Sequence, residues 1–353
     1  MEGESVIRHQ VWMMPLLLPL AACADADVQR WLQSDESGLT TDGTVTAFEL
    51  PNPGSAPSTV ALSDDGTVWF TQAGGNRIGR MNPDGSGLVE FELPTPGSSP
   101  RVMVQGSDGN MWFSQHEGNS IGRITPDGDI TEFPLPTQDS MPRATSLGAD
   151  GNVWFGQFAA GSIGRITPDG EVTEFPIPTP DSGPRALATG PDGNVWFSQF
   201  NTGKIGRITP DGQITEFELP TPGSGPGDIT AGADGNMWFL LLHGRMDGRE
   251  LDGARVARIT MDGEVTEFDL PSRDTTPINI AVGPDRNVWY TQGERLGRVE
   301  HDGRVTEFEL PADAGGRAVG LSAGSDREPP RRLSNRLWFT LSAGNRIAYM
   351  HFD

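Results

Sequence analysis

An all-β fold of repeated four-stranded antiparallel units is what this sequence predicts, on three observations. First, a Trp-aromatic pair recurs at Trp69-Phe70, Trp112-Phe113, Trp154-Phe155, Trp196-Phe197, Trp238-Phe239, Trp289-Tyr290 and Trp338-Phe339, at spacings of 43, 42, 42, 42, 51 and 49 residues. Second, short runs within each period alternate apolar and polar residues, as a half-buried strand does. Third, the 353 residues include 46 Gly and 29 Pro, which supply turns, and nine Trp and sixteen Phe, which supply a core. Units of this length with four short strands and a Trp in each indicate a β-propeller. Seven pairs predict seven blades, together covering residues 44–353.

Residues 184–220 illustrate one unit. PRALATG (184–190) reads as the first strand, NVWFSQ (194–199) as the second, KIGRIT (204–209) as the third and QITEFELP (213–220) as the fourth. The Asp-Gly turns between them suggest type I′ hairpins, which need positive φ. The chain finishes with RIAYMHFD (346–353), a third strand with no fourth after it, while TVTAFELP (44–51) is a fourth strand with no blade before it. The N-terminal strand is therefore expected to complete the last blade and hide the edges of an open array.

The N-terminal segment reads as a targeting signal. Residues 11–22 form a twelve-residue apolar run, too short to span a bilayer as a helix and suited to a signal-peptide core. Leu20-Ala21-Ala22-Cys23 follows it and looks like a bacterial lipobox. Residues 1–23 are thus read as a signal peptide whose Cys23 is lipidated, and residues 24–43 as a flexible tether. Cys23 is the single cysteine, which excludes an intramolecular disulfide and a cysteine zinc cluster. The expected location is the bacterial cell envelope, periplasmic or extracellular, with membrane contact only through the lipid. A net charge of −22 excludes a general nucleic-acid binder, which must neutralise phosphates. A monomer is expected.

In a propeller the first strand of each blade lines the central channel. The residue after the Pro that opens this strand is Ser58, Arg101, Arg143, Arg185, Gly227 or Ile278, and Arg317 is the corresponding choice in the last blade. The residue ending the second strand is Gln72, Gln115, Gln157, Gln199, Leu241, Gln292 or Leu341. Four arginines and five glutamines are thereby expected at one channel mouth, in a strongly acidic protein. Arg forks and Gln amides would suit a small-molecule or anionic ligand. The competing reading is structural, with the arginines bonded to loop carbonyls or to acids such as Asp139, Asp181 or Asp228. Two blades break the period. Blade five has an insertion within residues 241–255 that brings His243 and Glu250 to the mouth face. Blade seven has one around residues 326–335 on the opposite face.

The stretches GPDGNVWFSQ (190–199), GKIGRITPDGQITEF (203–217) and LPTPGSGP (219–226), with their equivalents in other blades, resemble the virginiamycin B lyase family, the streptogramin lyase propellers. The resemblance covers about residues 44–353. It implies a magnesium-dependent carbon–oxygen lyase that opens a cyclic depsipeptide at its ester by elimination. It also implies histidines after the strand-one Pro and glutamates at the end of the Trp-Phe strand. This chain has Arg, Ser, Gly or Ile at the first position and Gln or Leu at the second, so the family's catalytic set does not carry over. A Gln amide lacks the anionic oxygen that magnesium prefers, and an Arg stays protonated. Apart from magnesium implied by the resemblance, no cofactor or metal site is read from the residues. Two readings stand: a propeller binding a ligand at an Arg/Gln mouth without lyase chemistry, and a lyase-like enzyme with a relocated base such as His116 or His243. Glu117, Glu250 and Glu294 are the carboxylates nearest these positions by the same logic.

Overall fold

The computed structural model describes residues 41–242, 253–272, 275–322 and 335–353. The signal-peptide and lipobox segment, most of the tether, His243, Glu250 and most of the blade-seven insertion lie outside these residues. Among the described residues there are 28 strands in seven four-stranded antiparallel sheets, and none is helical. Blade four is typical, with β14 (Pro184–Thr189), β15 (Val195–Gln199), β16 (Lys204–Ile208) and β17 (Ile214–Glu218) in sequential order. The inner strands of the other blades are β2 (Pro57–Leu62), β6 (Pro100–Gln105), β10 (Pro142–Leu147), β18 (Gly225–Ala231), β22 (Pro277–Val282) and β26 (Ala318–Ser322). In the last blade β26 pairs with β27 (Arg336–Leu341), β27 with β28 (Arg346–His351), and β28 with β1 (Val45–Glu49). Val45 faces Met350 and Glu49 faces Arg346 in that outermost ladder.

Each second strand buries its tryptophan. The Trp196 indole donates from Nε1 to Asp192 Oδ1 at 3.1 Å, stacks on Phe217 of β17 with centroids 5.3 Å apart, and lies 5.3 Å from the Arg207 guanidinium. Arg207 also donates to the carbonyl of Met261 in the next blade at 3.0 Å. Arg123 and Arg165 reach Pro168 and Pro210 in the same way. A guanidinium stacks on an aromatic face and still bonds a carbonyl, which a lysine does less well. This accounts for several of the arginines in a chain with Lys204 as its single lysine. The phenylalanine beside each tryptophan demands a small partner. A Cβ on Gly206 would sit 2.1 Å from the Phe197 ring, and blade five uses Ala257 opposite Phe239 instead.

The clusters of buried side chains cross blade boundaries. Trp196 packs with Ile229, Met237 and Phe239 of blade five, and Trp338 of the last blade packs with Val60 and Phe70 of the first. The Asp-Gly turns differ from the sequence expectation. Gly193 has φ 73° while Asp192 is not at positive φ, and Gly193 N donates to Gly190 O. This is a turn followed by one left-handed glycine rather than type I′, which needs two left-handed residues. Asp192 explains the choice, because its carboxylate accepts from Asn194 N and the indole together.

Removing residues 1–52 would take β1 from the last sheet and strip Leu50 from the cluster around Trp338. The shortened protein is expected to lose about 4 kcal/mol or more of unfolding free energy, read by denaturant titration. An unchanged midpoint would mean that the ring does not depend on this strand.

Candidate functional site

Every inner strand carries the same irregularity near its start. In β10 the register shifts between Pro142 and Thr145, and the corresponding shift occurs in β2, β6, β14, β18, β22 and β26. A bulge of this kind opposes two residues to one and re-aims a side chain. The bulged pair is Arg143-Ala144 in β10, Arg101-Val102 in β6 and Arg185-Ala186 in β14. At several of these bulges hydroxyls from neighbouring strands bond the freed backbone groups. Ser114 Oγ accepts from Val102 N in its own blade and donates to Arg143 O in the next at 2.9 Å. Thr71 similarly bridges Thr59 N and Arg101 O.

The same register moves one of the expected residues. Ala318 faces Leu341 as Pro100 faces Gln115, so Val319, not Arg317, occupies the arginine position in the last blade. Thr291 Oγ1 donates to Val319 O at 2.9 Å, as Thr71 does to Arg101 O. Arg317 is exposed just before β26. The cationic arc is therefore Arg101, Arg143 and Arg185, on three consecutive blades.

The five glutamines lie beneath the mouth surface. Gln72, Gln115, Gln157, Gln199 and Gln292 have no exposed surface. Four of them donate to strand-four carboxylates of their own blades: Gln72 to Glu90 at 2.8 Å, Gln115 to Glu132 at 2.6 Å, Gln157 to Glu174 at 2.6 Å and Gln199 to Glu216 at 2.8 Å. Gln292 donates to the carbonyls of Ser272 and Thr275. A buried amide with a charged acceptor is a strong structural bond, and these donors are already committed.

The arginine heads influence one another. Arg143 is pushed down to about 10, chiefly by burial and then by the charges of Arg185 and Arg101, with Asp228 opposing. Arg185 is also lowered by burial, with Asp228 opposing. Asp228, in the β18 bulge, is raised to about 6 by the loss of water around it, against hydrogen bonds from Ile280 N and Ile229 N and the pull of both arginines. Its Oδ2 accepts from Ile280 N at 3.0 Å. Asp139 and Asp181 are exposed turn residues at positive φ. His116 lies beside the arc, its Nδ1 3.3 Å from Pro142 O. Burial, and next Arg101, lower its pKa below the ordinary 6.5, so the imidazole is neutral at pH 7. Its Nε2 is 3.9 Å from Glu117 Oε1, and Glu117 and Glu294 are exposed. Two residues at the mouth escape sequence reasoning. Phe158 and Phe200 lie 5.7 Å and 5.1 Å, ring centroid to guanidinium, from Arg143 and Arg185. Their position directly after Gln157 and Gln199 was the available signal.

Magnesium prefers several oxygen ligands. Beside the arc the described residues offer the Asp228 carboxylate, which feels two guanidinium groups, and His116 with the exposed Glu117. No three such ligands come together among the described residues, and three positive heads repel a dication. This donor set does not fit magnesium.

Fold and site together define a seven-bladed propeller whose inner-strand bulges present side chains at one channel mouth. The model of the virginiamycin B lyase family matches residues 19–248 and 249–353, and the chain belongs to that family. Among solved structures, a streptogramin B lyase is 32% identical, with 88% of this chain and 98% of that chain covered at a TM-score of 0.78. A virginiamycin B lyase from Staphylococcus aureus is 33% identical over 87% of this chain and 99% of that one, at 0.78. A catalytically inactive form of the Staphylococcus aureus enzyme with quinupristin is also 33% identical, at 0.77. No curated protein matches the chain.

The raised Asp228 pKa has a definite sign. The folded protein keeps this proton up to about pH 6, while the unfolded chain releases it near 3.8. The folded state binds more protons in that window, so this group's contribution to stability falls as pH rises from about 4 to about 6. Unfolding titrations at pH 4, 5, 6 and 7 are expected to show that decline in the native protein and its loss in Asp228→Asn.

Proposed function

We propose that this protein is a lipid-anchored propeller of the bacterial envelope that binds a small anionic ligand at the Arg101–Arg143–Arg185 mouth, without the lyase chemistry of its relatives. The observation that carries the reading is the clustering of three guanidinium groups on consecutive bulges, beside a single influential carboxylate, in a protein of charge −22. Crowded like charges disfavour themselves, and an anion relieves that repulsion with charge-assisted bonds. The buried glutamines hold the blade edge and the arginines meet the ligand. Leu20-Ala21-Ala22-Cys23 behind its apolar run supports the anchor.

Methanesulfonate, which stays ionised across the working pH range, tests the mouth by calorimetry on the full chain. Arg143→Ala is expected to weaken it by about tenfold or more with an unchanged circular dichroism spectrum. Equal affinity in the variant, or no binding to the native protein, overturns the reading. Mass spectrometry of the membrane fraction is expected to find Cys23 acylated at the mature N-terminus, and an unmodified Cys23 would remove the anchor.

A second reading is favoured by the 32–33% identity to streptogramin-opening enzymes over most of the chain. In it His116, neutral and oriented by Pro142 O, takes a proton from the carbon next to the one that bears the ester's alkyl oxygen. The carbon–oxygen bond breaks, a double bond forms, and the departing carboxylate is received by Arg101 and Arg143. The full chain, with and without added magnesium, is expected not to linearise a streptogramin B ester. Turnover that disappears in His116→Ala would establish the second reading in place of the first.

A further inference from the structure

The mouth is two-faced. The cationic arc spans blades two to four, while the residues that follow Gln157, Gln199 and Leu241, which face the prolines of their inner strands, form an apolar arc on blades three to five: Phe158, Phe200 and Leu242, the last still within its strand. In blade five the arginine position is Gly227, where an added Cβ would lie 2.9 to 3.1 Å from the Leu242 side chain. Leu242 therefore covers the spot from which a fourth arginine would rise. Phe200 reaches across the blade boundary, since a Cβ on Gly225 would lie 2.9 Å from its ring, and it packs against the cluster that contains Leu242. Phe158 and Phe200 both keep part of their surface exposed. At the equivalent positions the other blades carry Ala73, His116, Gly293 and Ser342, none of them a large apolar group, so the shelf is local to the arginines.

We propose that the ligand class of this mouth is an aromatic monoanion, its charged head on Arg143 and Arg185 and its ring on the Phe158–Phe200 shelf, which packs against the cluster of the buried Leu242. The proposal rests on the anion-binding reading above and adds the ring. A compact polyanion would use the arc and leave the shelf uncovered, and it would bring extra negative charge towards Asp228. A flat ring with one charge covers apolar surface that water otherwise wets. It also stacks on the phenylalanines in offset or edge-on geometry.

Benzenesulfonate and methanesulfonate share the same head and differ only by the ring, so the ratio of their affinities for the full chain isolates the shelf. The native protein is expected to bind benzenesulfonate more tightly by about fivefold or more. Phe200→Ala is expected to bring the ratio close to one while methanesulfonate binding persists. Phe200 also packs between blades, so Phe158→Ala supplies the same reading if that variant does not fold. Equal affinities in the native protein overturn the ring but leave the anion site standing. A ring preference that survives both substitutions overturns the shelf. Failure of both sulfonates to bind overturns the mouth itself, and this inference with it.

Discussion

The structure depends on the burial of one tryptophan per blade, with the indole N–H bonded to a turn aspartate in blades two to six. A buried indole without an acceptor is costly, and the Asp of the adjoining turn removes that cost at Trp112, Trp154, Trp196, Trp238 and Trp289. The same Asp closes the turn through the Asn two residues on. Local turn chemistry and long-range packing thus use one carboxylate. With the indole fixed, the strand-four phenylalanine stacks on it and the strand-three arginine covers both rings and ties the next blade. Each blade therefore arrives with a surface for its neighbour, and the inner strands are held at a common height around the channel.

That common height makes the mouth possible. Seven equivalent bulges give seven equivalent places for a side chain, and the sequence fills them unequally. Three consecutive places hold arginine, and the remaining four hold Gly227, Ile278, Val319 and Ser58. Concentrating charge on one arc carries an electrostatic penalty, which adds to the larger effect of burial in lowering the pKa of Arg143. Spreading the arginines around the ring would have reduced it. The polarity of the mouth is therefore a property of residue choice, laid over a nearly symmetric backbone.

The repeat was legible because its signals are short-range. The Trp-Phe pair, the Asp-Gly turn and the period-two strands each sit within a few residues, so β14 to β17 fall within a residue or two of the predicted limits. The mouth was partly legible. Arg101, Arg143 and Arg185 follow a proline that marks the strand start, and the structure brings them together. Arg317 misled because blade seven lacks that proline, and register there is set by the pairing of Ala318 with Leu341, a long-range fact. The glutamines misled for another reason. Their position at a strand end suggested exposure, whereas the glutamates of strand four, 17 or 18 residues away, draw them inward. Asp228 was visible as an acid, but its loss of water depends on the packing of blades five and six.

The hydroxyl bridges carry a consequence for how such a ring can change over time. Ser114 belongs to blade two, yet it holds the carbonyl of Arg143 in blade three, and Thr340 of the last blade reaches Ser58 of the first at 3.3 Å. The backbone beneath Arg101, Arg143, Val319 and Ser58 is thus specified in part by the preceding repeat. A blade copied or exchanged as a unit brings its own recognition side chain but inherits its neighbour's support. New specificities in this architecture should therefore spread by paired change across a boundary, with a whole-blade transplant faithful only when its predecessor travels too.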